Sequence, residues 1–325
     1  MSGTASGPVV VVTGASSGIG RGAAHAFAAR GDSVVLAARS ASALIEVAGE
    51  CEQRGGRALA VPTDVSDEAA VQALAHRAVE MFGRIDAWVS AAAVWSYGRF
   101  EDTPSQVFRQ VVDTTLFGQI HAARAVLPVF RSQGHGVLVN ISSLYGRLSF
   151  PYVAPYVTAK WGLLGFSEVL RQELRDAPDV TVCTILTGAV DTPIYRHAAN
   201  YIGRQIRPLP PVTSPKRVVA AVVRAVDRPE REIIVGRAHQ LGAWAHWLVP
   251  RLYDRLVGPI VNEGALCDIP VPAHNGTVFT PDPASNAVDD GWRQHDHRLA
   301  GKTLALGTVG VGAAAAAVAL RRRLH

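Results

Sequence analysis

Cysteine is scarce in this chain, and its first residues carry no leader pattern. The 325 residues contain three cysteines, Cys51, Cys183 and Cys267, which are odd in number and lie far apart. A framework of disulfides is therefore excluded, and a reducing compartment is expected. The first ten residues have neither a basic start nor a long apolar run, so no signal peptide is predicted. Both absences favour a cytoplasmic location.

Clustered metal ligands and long basic runs are also missing. The eleven histidines show no metal-ligand spacing, and His295 and His297 lie in a polar stretch where solvation is expected, so no metal site is predicted. The net charge of +5 comes from basic residues spread along the chain, with one run at residues 321–323. This distribution argues against nucleic acid as a partner and suits solubility and a phosphate-bearing ligand.

Apolar residues are abundant, at 48% of the chain, and form short runs that alternate with helical patterns. Strands are predicted at residues 8–13, 33–38, 58–61, 85–89, 136–141, 180–186 and 232–235. Alternation with helices at this spacing predicts an α/β fold, a doubly wound parallel sheet flanked by helices. Ligands bind at the carboxyl ends of the strands in such a sheet.

A glycine-rich loop follows the first predicted strand and opens the first helix. Its glycines let the backbone turn sharply and approach a ligand, while the helix N-terminus offers free N–H groups to a pyrophosphate. A merely structural turn is the alternative, but the second strand that follows favours a dinucleotide site. The predicted cofactor contacts in this loop are Gly14, Ser16, Ser17, Gly18, Ile19 and Gly20.

The end of the second predicted strand bears on the choice of nucleotide. Ala38 stands where an acidic residue would grip the ribose 2′-hydroxyl of NAD, and Arg39 follows it. Arginine pairs well with a 2′-phosphate, so the sequence favours NADP, with NAD as the alternative. An exposed arginine at the start of a helix is the structural explanation of the same residue.

Ser143, Tyr156 and Lys160 carry the predicted chemistry. Pro155 suits the first position of a helix, and residues four apart share a helical face, so the Lys160 ammonium is expected beside the Tyr156 phenol. A phenol needs its pKa lowered by roughly 2–3 units to exchange protons at neutral pH. The ammonium and a positively charged nicotinamide ring are charges that lower it, and Ser143 is expected to hold a substrate oxygen.

These motifs together resemble the short-chain dehydrogenase/reductase family over about residues 9–236. The resemblance implies a Rossmann-like fold of about seven strands and nicotinamide-dependent hydride transfer between a carbonyl and an alcohol. It implies that Tyr156 is the acid/base, that Lys160 lowers its pKa and holds the nicotinamide ribose, and that Ser143 orients the substrate oxygen. It further implies a homodimer or homotetramer through the helices at residues 104–131 and 155–175. The remaining cofactor contacts that it implies are Asp64, Val65, Ala91, Gly188, Val190 and Thr192.

Three positions depart from the family pattern. Residues 90–93 read Ser-Ala-Ala-Ala in place of Asn-Asn-Ala-Gly, Thr115 replaces an asparagine, and Thr187 replaces a proline. Thr115 is kept as a catalytic candidate for the proton relay, although a hydroxyl cannot reproduce the donor–acceptor pair of a carboxamide. The departures suggest an alternative, a catalytically impaired nucleotide-binding sensor, but the intact Ser143, Tyr156 and Lys160 favour an active enzyme.

The irregular connection at residues 187–211 is predicted to be a substrate lid. Its apolar and aromatic content favours a fairly apolar alcohol or carbonyl substrate. The candidate substrate contacts in this loop are Ile194, Tyr195 and Tyr201.

Beyond the catalytic domain, predicted for residues 1–236, the pattern changes three times. Residues 237–267 are predicted to be helical, 268–302 to be a polar linker, and 303–325 to be an apolar tail with a basic end. The 18 uncharged residues at 303–320 would span about 27 Å as a helix, slightly less than a hydrocarbon core of about 30 Å. A membrane surface is therefore a candidate partner, and a membrane-tethered scaffold is a further hypothesis.

Overall fold

The computed structural model describes residues 7–236, 239–282 and 285–294. The strands are β1 (Val9–Thr13), β2 (Ser33–Ala38), β3 (Arg57–Pro62), β4 (Ala87–Ser90), β5 (Ser96–Tyr97), β6 (Gly136–Ser143), β7 (Val180–Thr187), β8 (Ala199–Asn200), β9 (Arg204–Ile206), β10 (Glu232–Val235) and β11 (Leu266–Pro270). The helices are α1 (Gly18–Ala28), α2 (Ala41–Gln53), α3 (Glu68–Phe82), α4 (Ser105–Val112), α5 (Gly118–Gln133), α6 (Ala154–Glu173), α7 (Ile194–His197), α8 (Pro215–Asp227), α9 (Gln240–Leu248) and α10 (Pro250–Gly264).

A parallel sheet organises the described residues. Its seven strands lie in the order β10-β7-β6-β4-β1-β2-β3, with every neighbouring pair parallel. The reversal of strand order beside β1 makes the sheet doubly wound and opens a crevice at its carboxyl edge. The predicted α/β, Rossmann-like fold is confirmed.

The central strand β1 explains why helices cover both faces. Val10 and Val12 pack in one core with α1, α2 and α8, whereas Val9 and Val11 pack in a second core that contains residues of α3, α5 and α6. All four valines are fully buried. Alternate side chains of a strand point to opposite faces, so an unbroken valine run requires a helical layer on each side.

Local sequence signals set several helix boundaries. The Asp67 carboxylate accepts hydrogen bonds from the N–H groups of Ala69 and Ala70 and caps α3, as predicted. Pro155 lies in the first turn of α6. Between α4 and α5, Asp113–Phe117 form a π-helical turn, a local widening that is frequent at functional sites.

The C-terminal part departs from the sequence prediction. The helical segment expected at residues 237–267 is divided into α9 and α10, because Pro250 has no N–H to continue the first helix. The polar stretch expected to be an extended linker is packed where it is described. β11 pairs antiparallel with β9, His274 bridges to Asn200, and the chain then returns across the carboxyl edge of the main sheet.

No helix in residues 7–236, 239–282 and 285–294 is long and apolar enough to cross a membrane. No group of three or more His, Cys, Asp or Glu side chains in the same ranges is placed to hold a metal ion. The predicted apolar tail at residues 303–325 lies outside the described residues.

Candidate active site

A cavity lies at the carboxyl edge of the sheet, where the strand order predicts a ligand site. Its walls include the glycine loop between β1 and α1, the ends of β2 and β3, the residues after β4, and residues 192–194. The C-terminal segment supplies a further wall. The residues from that segment are Thr277, Pro281, Asp282 and Asn286.

The glycine loop is shaped for close backbone approach. Gly14 and Gly18 have φ angles of 69° and 54°, a conformation that L side chains rarely adopt. A Cβ on Gly20 would lie 2.1 Å from the carbonyl oxygen of Gly14, and one on Gly14 would lie 2.8 Å from the Cα of Ala92. Ser17 precedes α1 without capping it through its side chain. This cradle, open at the start of a helix, fits the pyrophosphate of a dinucleotide.

Arg39 and Asp64 line the cavity where β2 and β3 end. The Arg39 guanidinium donates to the carbonyl oxygens of Thr277 and Val278 at 2.6 and 3.0 Å. Burial lowers the Arg39 pKa, and the Asp64 carboxylate opposes this decrease. Asp64 Oδ1 accepts hydrogen bonds from the backbone N–H and the hydroxyl of Ser66. The two hydrogen-bond acceptors of the Arg39 guanidinium are neutral carbonyls, and the Asp64 carboxylate interacts with its charge.

The predicted cofactor contacts after β4 and β7 divide into two groups. Ala91 and Thr192 line the cavity, and a Cβ on Gly18 would lie 3.4 Å from the Thr192 side chain. Gly188 and Val190 are not part of the lining. Gly188 instead lies against His239, since a Cβ on this glycine would be 2.5 Å from the imidazole Nδ1.

Ser143, Tyr156 and Lys160 come together at the end of β6 and the start of α6. Their exposed fractions are 5%, 6% and 1%. The Ser143 hydroxyl donates to the Thr187 carbonyl oxygen at 3.2 Å and is within hydrogen-bonding reach of Tyr156. Lys160 Nζ donates to the Ile141 carbonyl oxygen at 2.8 Å and lies 5.4 Å from the centroid of the Tyr156 ring. The expected neighbourhood of phenol and ammonium is thus present.

The expected lowering of the Tyr156 pKa is not present in the chain alone. Burial raises the pKa of this phenol above its ordinary value of 10, and only the hydrogen bond from Ser143 opposes the increase. Burial also lowers the pKa of the Lys160 ammonium to about 7. The ammonium is desolvated together with the phenol, so it cannot by itself supply the charge that the sequence argument assigned to it.

Trp95 covers the acid/base candidate. The Trp95 and Tyr156 rings are stacked, with centroids 4.1 Å apart and planes 14° apart. Tyr145 and Tyr195 also contact the indole, at centroid distances of 5.5 and 5.6 Å. Trp95 lines the cavity, whereas Ser143, Tyr156 and Lys160 do not. Sequence reasoning missed this residue, although its position five residues beyond β4 placed it at the ligand-binding edge.

Comparison with known proteins agrees with this geometry. Residues 8–201 match the model of the short chain dehydrogenase family. The chain belongs to the short-chain dehydrogenase family. It is 34% identical over 291 residues to the Bacillus subtilis protein named uncharacterized oxidoreductase YxnA, covering 89% of this chain and 80% of that protein.

Solved structures of short-chain dehydrogenases show the same architecture. An alcohol dehydrogenase from the archaeon Thermococcus sibiricus, complexed with 5-hydroxy-NADP, has a TM-score of 0.61 and 27% identity, covering 70% of this chain and 95% of that one. A short chain dehydrogenase/reductase from Burkholderia phymatum, in complex with NAD, has a TM-score of 0.68 and 25% identity, covering 76% and 95%. The family assignment makes this chain an oxidoreductase.

In this short-chain dehydrogenase the Thr115 hydroxyl makes hydrogen bonds other than those of the proton relay expected from the sequence. It is fully buried on the π-helical turn, where its hydroxyl accepts the N–H of Val94 and lies 3.2 Å from the Val94 carbonyl oxygen as donor. A hydroxyl has a single proton to donate, so the bond to the carbonyl leaves none for a catalytic water. Thr115 therefore fixes the backbone that carries Trp95.

The three predicted substrate contacts do not lie together. Ile194 lines the cavity, and Tyr195 is buried against Trp95. Tyr201 is held away from the cavity by a hydrogen bond from its hydroxyl to the Asn275 side chain. Of the three, only Ile194 faces the cavity, and the substrate lid stays a prediction.

Proposed function

We propose that this short-chain dehydrogenase is an NADP-dependent oxidoreductase that interconverts a ketone or aldehyde with an alcohol. The observation that carries the proposal is the joint burial of Ser143, Tyr156 and Lys160 beside the cavity at the carboxyl edge of the sheet, which the glycine loop lines. Side chains this polar are seldom buried together without a function, because each loses its hydration.

Arg39 supports NADPH as the preferred nucleotide. The two solved relatives hold an NADP derivative in one case and NAD in the other, so relatedness does not decide between them. In this chain Arg39 lines the cavity where β2 ends, and the preceding residue is Ala38 rather than an acid. A fixed positive charge at this point favours a 2′-phosphate.

A bound nicotinamide would supply or accept the hydride, and side chains of this protein would transfer the proton. The Ser143 hydroxyl would exchange its Thr187 carbonyl partner for the substrate oxygen and donate a hydrogen bond to it, and Tyr156 would exchange a proton with the same oxygen. Burial keeps the Tyr156 phenol protonated at neutral pH in the chain alone, so nearby positive charge, from a bound nicotinamide and from protonated Lys160, would have to lower its pKa for efficient proton exchange. Lys160 links α6 to β6 through its hydrogen bond to the Ile141 carbonyl oxygen, and it adds positive charge near Tyr156 when it is protonated.

The surroundings of Tyr156 favour an apolar substrate. A cluster of buried aromatic side chains surrounds its ring. A substrate that reaches the phenol therefore contacts aromatic faces and edges. The rings in question belong to Trp95, Tyr97, Tyr145, Phe150 and Tyr195.

The test combines binding and turnover in the full-length protein. Fluorescence titration with NADPH and NADH is followed by assays against a panel of apolar ketones, using Tyr156→Phe and the matched control Tyr145→Phe. We expect NADPH to bind more tightly than NADH, and Tyr156→Phe to keep binding but lose about 1,000-fold or more in turnover. Tyr145→Phe should retain most of the activity. Absence of binding by either nucleotide would refute the proposal.

A nucleotide-binding sensor is the second candidate. Two observations favour it: the Thr115 proton is committed to Val94, and Trp95 lies over Tyr156. Tight NADPH binding without turnover on any ketone, including by a Trp95→Ala variant that uncovers the phenol, would favour the sensor over the enzyme.

We also propose a homodimer or homotetramer. Phe117, Trp161 and Val169 lie on or beside the helices expected to pair, and their apolar side chains are exposed. Light scattering of the purified protein and of a Val169→Arg variant tests the proposed assembly. A charge on the face where the subunits pair should separate them and lower the measured molar mass.

A cytoplasmic location with contact to a membrane surface through residues 303–325 remains a proposal from the sequence. Fractionation of cells that express the full chain or a chain lacking residues 303–325 tests it. Loss of the protein from the membrane fraction on deletion is the expected result, and equal distribution of both forms would contradict the role of the tail.

A further inference from the structure

The C-terminal segment that crosses the cavity, residues 277–282 and 285–294, is here called the strap. We propose that the strap is part of the dinucleotide site and closes over bound NADPH. This inference rests on the proposed NADPH binding. It assigns to the nucleotide site residues that lie far outside the sequence motifs. Four strap side chains already line the cavity together with the glycine loop and Arg39.

The strap meets the helix terminus that faces the pyrophosphate. The N–H of Gly18, the first residue of α1, donates to the Ala287 carbonyl oxygen at 3.0 Å. One turn later, Arg21 Nη1 donates to the Asn286 carbonyl oxygen at 2.7 Å. Arg21 is 7% exposed and is also paired with two glutamates of α2, so it is a fixed support. The strap backbone is therefore held directly across the N-terminus of α1.

The strap also positions the residue proposed to choose the nucleotide. Its backbone carbonyls at Thr277 and Val278 accept both hydrogen bonds from the Arg39 guanidinium. Val278 is fully buried, and the Thr277 N–H donates to the His197 carbonyl oxygen at 2.8 Å, so these carbonyls are well fixed. Since carbonyls carry no net charge, they orient the guanidinium without neutralising it. A 2′-phosphate would then meet an oriented positive charge, for which it would compete with the Asp64 carboxylate.

The far end of the strap is anchored outside the cavity. The buried Asp191 carboxylate accepts N–H bonds from Asp290, Trp292 and Arg293 at 3.1, 2.9 and 3.2 Å. The Asp290 carboxylate pairs with Arg196 at 2.6 Å, and the Arg196 guanidinium lies 5.0 Å from the centroid of the Trp292 ring. Neither Asp290 nor Trp292 lines the cavity. The anchor can therefore be weakened without changing a side chain that would touch the nucleotide.

The experiment compares Asp290→Asn/Trp292→Ala with Asp268→Asn/Trp247→Ala in the full-length protein. The control pair removes an exposed ion pair with Arg204 and an exposed tryptophan, both outside the strap. NADPH release is followed by stopped-flow loss of nucleotide fluorescence on mixing with excess NADP. We expect release to accelerate about tenfold in the anchor variant and to remain unchanged in the control, because contacts made after closure act mainly on dissociation.

The nucleotide preference gives a second readout. Weakening the strap should reduce the affinity for NADPH more than that for NADH, because Arg39 loses its orientation. Unchanged release from an anchor variant with wild-type circular dichroism would overturn the inference, and so would slower release, which would show that the strap competes with the nucleotide. Failure of the wild-type protein to bind any dinucleotide would instead refute the proposed function itself. If the double variant does not fold, Asp290→Asn alone tests the same point with a smaller acceleration.

Discussion

The indole of Trp95 lies face to face with the phenol of Tyr156, with 4.1 Å between ring centroids and 14° between ring planes. Such stacking contributes about 0.5–1.5 kcal/mol beyond the burial of the two rings. A substrate oxygen can reach the phenol only at the edge of this stack or after the indole has moved. Trp95 is therefore expected to select substrates by shape.

Replacing Trp95 by alanine should widen the substrate range. We expect kcat/KM for bulky ketones to rise about tenfold relative to that for small ones, since removing a methylene-sized obstacle is already worth about 1–3 kcal/mol. The cavity left by the indole should lower the free energy of unfolding by about 3–5 kcal/mol. Kinetics on paired small and bulky ketones measure the change in kcat/KM, and urea unfolding measures the change in the free energy of unfolding. Trp244→Ala, which alters an exposed side chain, is the control, and a uniform loss of activity on all ketones would contradict the gating role.

The buried Lys160 should make stability depend on pH. Its pKa is about 7 when folded and about 10.4 when unfolded, so the unfolded chain binds more protons in between. The free energy of unfolding should therefore rise from about pH 7 to 8.5, by at most about 1.4 kcal/mol per pH unit. Burial raises the pKa values of Cys51 and Cys183 to about 11, so these thiols change the free energy of unfolding only above this pH range. Urea unfolding without nucleotide should show the rise in the wild type and lose it in Lys160→Met; parallel curves would disprove the assignment.

Arg39 should set the preference for NADPH. Arg39→Ala should weaken NADPH binding about 10- to 100-fold, the equivalent of about 1.5–3 kcal/mol for hydrogen bonds to a charged group. NADH binding should change little, because NADH carries no 2′-phosphate. Fluorescence titration of both nucleotides measures this, with Arg54→Ala, an exposed arginine at the end of α2, as the control. An equal loss for both nucleotides would assign Arg39 a merely structural role.

Two glycine substitutions should act in opposite directions. Gly20→Ala would place a Cβ 2.1 Å from the Gly14 carbonyl oxygen, so the glycine loop must distort and nucleotide binding should be lost. Gly49→Ala, inside α2 with no atom within 4 Å of the added Cβ, should stabilise the protein by about 0.5–1 kcal/mol. Thermal unfolding and NADPH titration of both variants provide the comparison. Normal binding by Gly20→Ala would show that the loop does not form the cradle described above.

Features written locally in the sequence could be predicted. The valine run of β1, the glycine loop and the spacing of Tyr156 and Lys160 each act within a few residues, so periodicity and turn chemistry disclose them. The sheet followed from the alternation of such segments. The assembly of Ser143 with Tyr156 followed because parallel strands and their following helices meet at one edge.

Features that depend on distant backbone groups or on side-chain packing could not be predicted. The strap binds through main-chain carbonyls and N–H groups, which leave no side-chain pattern, and its polar composition resembles that of a linker. The stacking of Trp95 on Tyr156 depends on side-chain orientation rather than spacing. The raised pKa of Tyr156 reflects burial that only the packed structure reveals.

The hydrogen bond from Gly18 to Ala287 joins the glycine loop to a segment that the ribosome makes about 270 residues later. About 60 residues separate the end of β10 from the end of the strap. At roughly 5–20 residues per second, all seven strands of the sheet are synthesised roughly 3–12 seconds before the strap is complete. A nascent chain thus presents its glycine loop uncovered, and the nucleotide can enter from solution before the strap closes the site.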